Sequence, residues 1–190
     1  IKMKVKYSDL KNKRVFITGG GSGIGASIVE HFCEQGSEVY FVDINLKETK
    51  KLLNKIKKNK FRTPTFIECN LLDINKLEKT IKNIIAKKGP IHALINNAAN
   101  DDRHTTDQVD EKYWENRMAI NLKHYFFAAK AVVKSMKKIK AGSIVNLSSV
   151  SWMLGEGDKV VYETAKSAVI GLTRSFAQEF GKFNIRTNSV

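Results

Sequence analysis

Short apolar runs of strand character alternate along this chain with longer segments of helical periodicity, and that alternation most narrows what the chain can fold into. The apolar runs fall at 15–18, 39–42, 65–67, 93–95, 143–147 and from 185 onward; the helical segments fall at roughly 24–36, 46–58, 74–88, 111–140 and 162–181. The runs are apolar at successive positions, so both faces of each strand must be covered. Such strands, joined by helices, predict a doubly wound α/β fold: one parallel sheet between two helical layers, with right-handed crossovers giving the strand order 3-2-1-4-5-6. No linker, repeat or low-complexity segment interrupts the pattern, so residues 1–190 read as one domain.

Composition matters here for what it excludes. A chain that is 42% hydrophobic and 27% charged has enough apolar side chains for a core and is not disordered. No apolar run reaches the roughly 20 residues of a membrane span, and the opening stretch lacks the apolar segment of a signal peptide. Cys33 and Cys69 have no partner at metal-ligand spacing and fit a reducing compartment, with the cytoplasm as the expected location. The formal charge of +14 would suit a polyanion, yet of 33 basic residues only Arg14, Arg62, Arg103, Arg117, Arg174 and Arg186 are arginines. The lysines spread over most helices, and the densest run, 47–60, reads as the solvated side of one helix, so no nucleic-acid partner is expected. The chain starts at Ile1 and stops at Val190 inside an apparent strand, and it is expected to be truncated at its C-terminus.

Between the first strand and the first helix lies the run Thr18, Gly19, Gly20, Gly21, Ser22, Gly23, Ile24, Gly25. Glycines at a strand-to-helix turn permit positive φ and let backbone N–H groups approach a pyrophosphate, whose charge the helix N-terminus also favours. Asp43 ends the second strand, where a carboxylate can accept hydrogen bonds from an adenosine ribose and repel a 2′-phosphate. The alternative is that Asp43 caps the helix beginning near Leu46. The ribose reading points to NAD as cofactor.

Tyr162 and Lys166 are four residues apart in a helical segment and share one face. A free phenol ionises near pH 10, roughly, and an adjacent cation is the direct way to bring it down toward use as a base. Ser149, at the end of the fifth strand, can point its hydroxyl into the same crevice. With the glycine run, with Asn96, Asn97, Ala98 and Ala99 closing the fourth strand, and with Asn121 in the long helix, these residues resemble the short-chain dehydrogenase/reductase family over essentially the whole chain. The resemblance implies a Rossmann fold and an oxidoreductase. It implies that Tyr162 is the acid/base, that Lys166 also holds the nicotinamide ribose, that Ser149 orients the substrate oxygen, and that Asn121 supports a water-linked proton path. It further implies cofactor contacts from Thr18, Gly19, Ser22, Gly23, Ile24, Gly25, Asp43, Asn70, Leu71, Asn97 and Ala98, with Asn97 fixing the sheet beside them. The sequence departs from the pattern at Asn70, where many members carry Asp, and at Ala99, where Gly is usual.

The substrate is read from two polar segments, 97–104 and 151–158, the second carrying Trp152. Polar groups around one aromatic plane suit a polyhydroxylated ring better than an acyl chain. These segments resemble the branch of the family that oxidises free aldoses such as xylose or arabinose at C1 to the lactone; a 3-oxoacyl thioester reductase is the alternative. Asn100, His104 and Trp152 are the expected sugar contacts beside Ser149. Asp101, Asp102 and His104 could suggest a metal, but no further ligand cluster accompanies them and none is expected. His31, His92 and His124 read as structural or exposed. Trp114, Met118, Leu122, Phe126, Ala129 and Val133 form an apolar stripe whose default role is core. The resemblance adds that this helix and the Tyr162 helix often pair across a dimer, so a homo-oligomer, dimer or tetramer, is expected.

Overall fold

In the computed structural model, which describes residues 5–190, six strands form one parallel sheet; the reading of Ile1 lies outside the described residues. The strands are β1 (Arg14–Thr18), β2 (Glu38–Asp43), β3 (Thr65–Glu68), β4 (Ala93–Asn96), β5 (Gly142–Asn146) and β6 (Ile185–Ser189), in the order β3-β2-β1-β4-β5-β6. That is the doubly wound order expected from the alternation. The register sets Phe16 between Tyr40 and Leu94, and Thr18 between Val42 and Asn96.

Because strand side chains alternate between faces, β1 feeds two cores at once. Val15 and Ile17 pack with Val29, Phe41, Leu52 and Ile56, under α1 (Gly23–Glu34) and α2 (Leu46–Lys58). Phe16 packs on the other face with Leu77, Ile81, Ala128, Val132 and Phe176, from α3 (Ile74–Lys88), α5 (His124–Ile139) and α7 (Val160–Phe180). Two shorter helices, α4 (Glu111–Met118) and α6 (Ser151–Leu154), lie in the connections that border the carboxyl edge of the sheet.

The expected helix over 111–140 is not continuous. A π-turn over Ala119–Lys123 joins α4 to α5. An extra residue in that turn advances the helix phase. Beyond it the fully buried apolar positions are Tyr125, Ala128, Ala129, Val132 and Met136, while Phe126 of the expected stripe is 43% exposed and Trp114, before it, is 40% exposed. Of that stripe only Ala129 is buried in the core.

α7 is fastened to the sheet by a buried chain of polar groups. The Asn96 amide donates to Asn146 Oδ1 at 2.9 Å, the Asn146 amide donates to Thr173 Oγ1 at 3.0 Å, and the Thr173 hydroxyl donates to the Val169 carbonyl. A buried donor left without its acceptor costs its full desolvation, about 1–3 kcal/mol. Thr173→Val, nearly isosteric, is expected to lose about that much stability in urea unfolding, and Thr173→Ser to keep most of it. Equal unfolding midpoints for Thr173→Val and the parent chain would contradict the chain of bonds.

Candidate active site

The carboxyl ends of β1, β2, β4 and β5 open onto one cleft, as parallel strand order dictates at its switch point between β1 and β4. The glycine run forms its floor. Gly19 takes φ +66°, and a Cβ on Gly25 would overlap the Gly19 carbonyl, so strand and helix approach as closely as two backbones allow. α2, α3 and α4 begin with side-chain caps from Asn45, Asp73 and Asp110, but Ser22 makes no cap at the start of α1. The first N–H groups of α1 therefore face the cleft without a side-chain acceptor, the arrangement a pyrophosphate fits. A cavity of about 490 Å³ runs from Gly19, Gly23 and Gly25 past Asp43, Asn70 and Leu71 to Asn97, Ala98 and Asn100.

Asp43 accepts N–H bonds from Gly21 at 2.7 Å and from Ile44 and Asn45 at 2.8 Å each. Asn45, not Asp43, caps α2. Three backbone donors fix the carboxylate at the cavity wall, and no ion pair among the described residues neutralises it. Oδ2 takes one of the three bonds and keeps a free lone pair for a ribose hydroxyl. Asn70 uses Oδ1 on the Leu72 N–H, which leaves its amide donors to the cavity.

A second cavity of about 210 Å³ adjoins the first, sharing Ile24, Asn97, Ala99 and Asp101, and is completed by Leu147, Ser148, Tyr162 and Lys166. Helical spacing does bring Tyr162 and Lys166 together, with Nζ 5.5 Å from the phenol ring centroid. Lys166 is 1% exposed and burial lowers its pKa to about 8, opposed by the Asp101 carboxylate. The Tyr162 phenol is pushed up, chiefly by burial and further by Asp101, while a hydrogen bond from Ser149 and the Lys159 ammonium pull it down. The expected lowering of the phenol by its neighbouring lysine is not what this geometry gives: Nζ donates instead to the Leu147 carbonyl at 2.7 Å and to Tyr125 Oη at 3.0 Å. Ser149 faces the phenol and also bonds Ser151 Oγ at 2.8 Å.

Several sequence-predicted residues lie elsewhere or act through others. Thr18 is fully buried, and its hydroxyl accepts the Asn97 and Ala98 N–H groups, so it shapes the loop and does not line the cleft. His104 is 5% exposed, with Nδ1 2.9 Å from Tyr113 Oη and Nε2 accepting the Val161 N–H at 3.3 Å. Both ring nitrogens are engaged, and they tie the 97–104 loop to α4 and α7. Trp152, half-buried on α6, is outside the lining of both cavities. Asn121, buried in the π-turn, gives both amide atoms to the Asn100 backbone, at 2.8 and 2.9 Å, and so positions that loop. Asn100 itself lines the larger cavity. Ala99 is not in a left-handed conformation, so the departure from Gly costs no strain. Asp102 pairs with Arg117 at 2.9 Å and Arg103 with Asp158; no group of three metal-ligating side chains occurs among the described residues. No described helix is long and apolar enough to cross a membrane.

Sequence reading considered Asp101 only as a metal ligand, yet it is the one carboxylate lining the smaller cavity. Its place one residue beyond Asn100 in a cleft-bordering loop was the available signal.

Residues 13–190 match the family model for short chain dehydrogenases. The chain is 42% identical over 184 residues to the D-xylose 1-dehydrogenase of Caulobacter vibrioides, which spans 97% of this chain and 72% of that one. It is 31% identical over 181 residues to the 3-oxoacyl-acyl-carrier-protein reductase of Thermotoga maritima, across 95% of this chain and 73% of that one. The structure of the Thermoplasma acidophilum aldohexose dehydrogenase superposes with a TM-score of 0.84 at 30% identity, over 96% of this chain and 67% of that one.

Asp101 holds both the Tyr162 phenol and the Lys166 ammonium at higher pKa values than they would otherwise have. Removing its charge in Asp101→Asn makes the phenol easier to ionise and the ammonium easier to lose. Both limbs of the pH–rate profile for alcohol oxidation are therefore expected to move to lower pH. A profile that stays in place would show that Asp101 does not act on this pair.

Proposed function

This chain belongs to the short-chain dehydrogenase family, and from that premise we propose that it oxidises a free aldose, a pentose or a similar sugar, at C1 to the lactone, with NAD as cofactor. It is an oxidoreductase acting on CH–OH groups. The observation that carries the substrate reading is the polar lining of the smaller cavity: Asn97, Asp101, Ser148, Tyr162 and Lys166 face one space. Several donors and acceptors around one small cavity suit a ring bearing many hydroxyls, whereas an acyl chain would need an apolar groove there.

In this reading Tyr162 takes the proton of the anomeric hydroxyl, Ser149 holds that oxygen, and Lys166 supplies positive charge beside both. NAD, when bound, supplies the acceptor for the hydride leaving C1. The glycine run and the open N-terminus of α1 would hold its pyrophosphate, Asp43 its adenosine ribose, and Lys166 the second ribose. Burial favours the protonated form of Tyr162, so oxidation should accelerate as pH rises toward the phenol's ionisation, with the Ser149 hydrogen bond easing that step. Asp43 favours NAD over NADP, because a 2′-phosphate would meet a fixed carboxylate. A homo-oligomer in the cytoplasm belongs to the same reading, supported by exposed Phe126 on α5 and by unpaired Cys33 and Cys69.

The test is NADH formation on xylose, arabinose, galactose and fucose, with the reverse reaction tried on a 3-oxoacyl thioester. Activity on at least one aldose is expected; activity on the thioester alone would replace the sugar reading. Tyr162→Phe should lower kcat by about 10²–10⁴-fold while leaving NAD affinity nearly unchanged. Asp43→Ser should narrow the preference for NAD over NADP, and equal affinity for both cofactors in the parent chain would contradict the role of Asp43.

A further inference from the structure

We propose that Tyr125 is a positioning residue that holds Lys166 with one ammonium N–H turned toward the cleft; the inference rests on the reading that Lys166 serves the dehydrogenase site. Tyr125 is fully buried on α5. Its hydroxyl donates to the Leu147 carbonyl at 3.0 Å and accepts from Lys166 Nζ at 3.0 Å, while Nζ also donates to the same carbonyl at 2.7 Å. An ammonium has three N–H donors. Two meet fixed buried acceptors, and because Lys166 lines the smaller cavity beside Tyr162, the third is left to face it.

The triangle also fixes the direction of each bond. Burial raises the Tyr125 phenol far above its ordinary range, so it stays protonated wherever the enzyme works. With its one proton on the Leu147 carbonyl, its oxygen can only accept from Lys166, and an acceptor stabilises the ammonium against the burial that opposes it. The other groups facing Lys166 are Tyr162 from α7 and Asp101 from the loop after β4, and His124, on α5, is a neutral ring whose own pKa burial and the Lys166 charge hold down near 3. A phenylalanine at 125 would pack against His124, whose ring centre lies 4.5 Å away, as well as tyrosine does. What it would lack is the oxygen, which separates holding a lysine from filling a core.

The experiment follows Lys166 directly, by NMR titration of protein carrying labelled lysine, with the Lys166 signal identified by its loss in Lys166→Met. In Tyr125→Phe the Lys166 midpoint is expected to fall by about one pH unit, about tenfold less ammonium at a given pH above it. NAD titrated calorimetrically should then bind several-fold more weakly than to the parent near pH 8 and nearly equally near pH 6. In the Lys166→Met background Tyr125→Phe should not change NAD affinity. The parent chain gives a check independent of the variant's folding: the Tyr125 ring carbon bearing oxygen should show an inflection at the Lys166 midpoint. An unchanged Lys166 midpoint in folded Tyr125→Phe, or no inflection at Tyr125 in the parent, would overturn the inference. Lys166→Met that binds NAD as tightly as the parent would instead sink the role given to Lys166 in the proposed function, and the midpoint test would stand unaffected.

Discussion

Two carbonyls at the end of β1, those of Thr18 and Gly19, would lie at the carboxyl edge of the sheet without donors if Asn97 were absent. The Asn97 amide reaches both, at 3.1 and 2.9 Å, and its own N–H returns to the Thr18 hydroxyl at 3.0 Å. This stitch joins the glycine run to the end of β4. Gly25 can then approach the Gly19 carbonyl, α1 begins where its N–H groups open on the cleft, and the loop after β4 starts from a fixed point. The rest of the site is placed relative to that seam, because Asn97 lines both the larger and the smaller cavity.

The smaller cavity depends on a charge held where charge is costly. Lys166 sits among buried groups with its pKa lowered to about 8, and it is kept there by two oxygen acceptors and by the field of Asp101. α7 carries it to this position, and the Asn96, Asn146 and Thr173 chain registers α7 against β4 and β5. The same helix presents Tyr162 one turn earlier. Charge on the lysine and neutrality of the phenol thus follow from one packing arrangement, and pH moves them in opposite senses: rising pH ionises the phenol and discharges the ammonium.

The strands and the helices on both faces of the sheet were legible in the sequence because unbroken apolar runs follow from strands buried on both faces and period-3.6 stripes from helices buried on one. α2 and α3 begin where Asn45 and Asp73 offer caps, and the strand order follows from crossover handedness. The glycine run and the Tyr162 and Lys166 pair were visible as local motifs, one by its composition and the other by helical spacing. The π-turn was not. It leaves the hydrophobic content of 111–140 intact but shifts the phase, so Phe126 was read as buried and Tyr125 went unnoticed. His104 and Trp152 were read from polar segments, which have no periodicity to show which side chains point inward; in the fold His104 is buried against α4 and α7, and Trp152 lies outside the lining of both cavities. The Tyr113 hydroxyl and the Val161 N–H that engage His104 come from α4 and α7, contacts that exist only in the folded chain. Asp101 and Tyr125 take their meaning from proximity across elements, which no spacing along the chain encodes.

The account makes the seam at Asn97 the condition for dinucleotide binding, and it can be tested on binding alone. Calorimetric titration of NAD into the parent chain and into Asn97→Leu, both verified as folded by circular dichroism, reads it directly. One site is predicted in the parent, with affinity at least about tenfold lower in Asn97→Leu, because two loop carbonyls lose their donors. NAD binding equally well to both proteins would contradict the account.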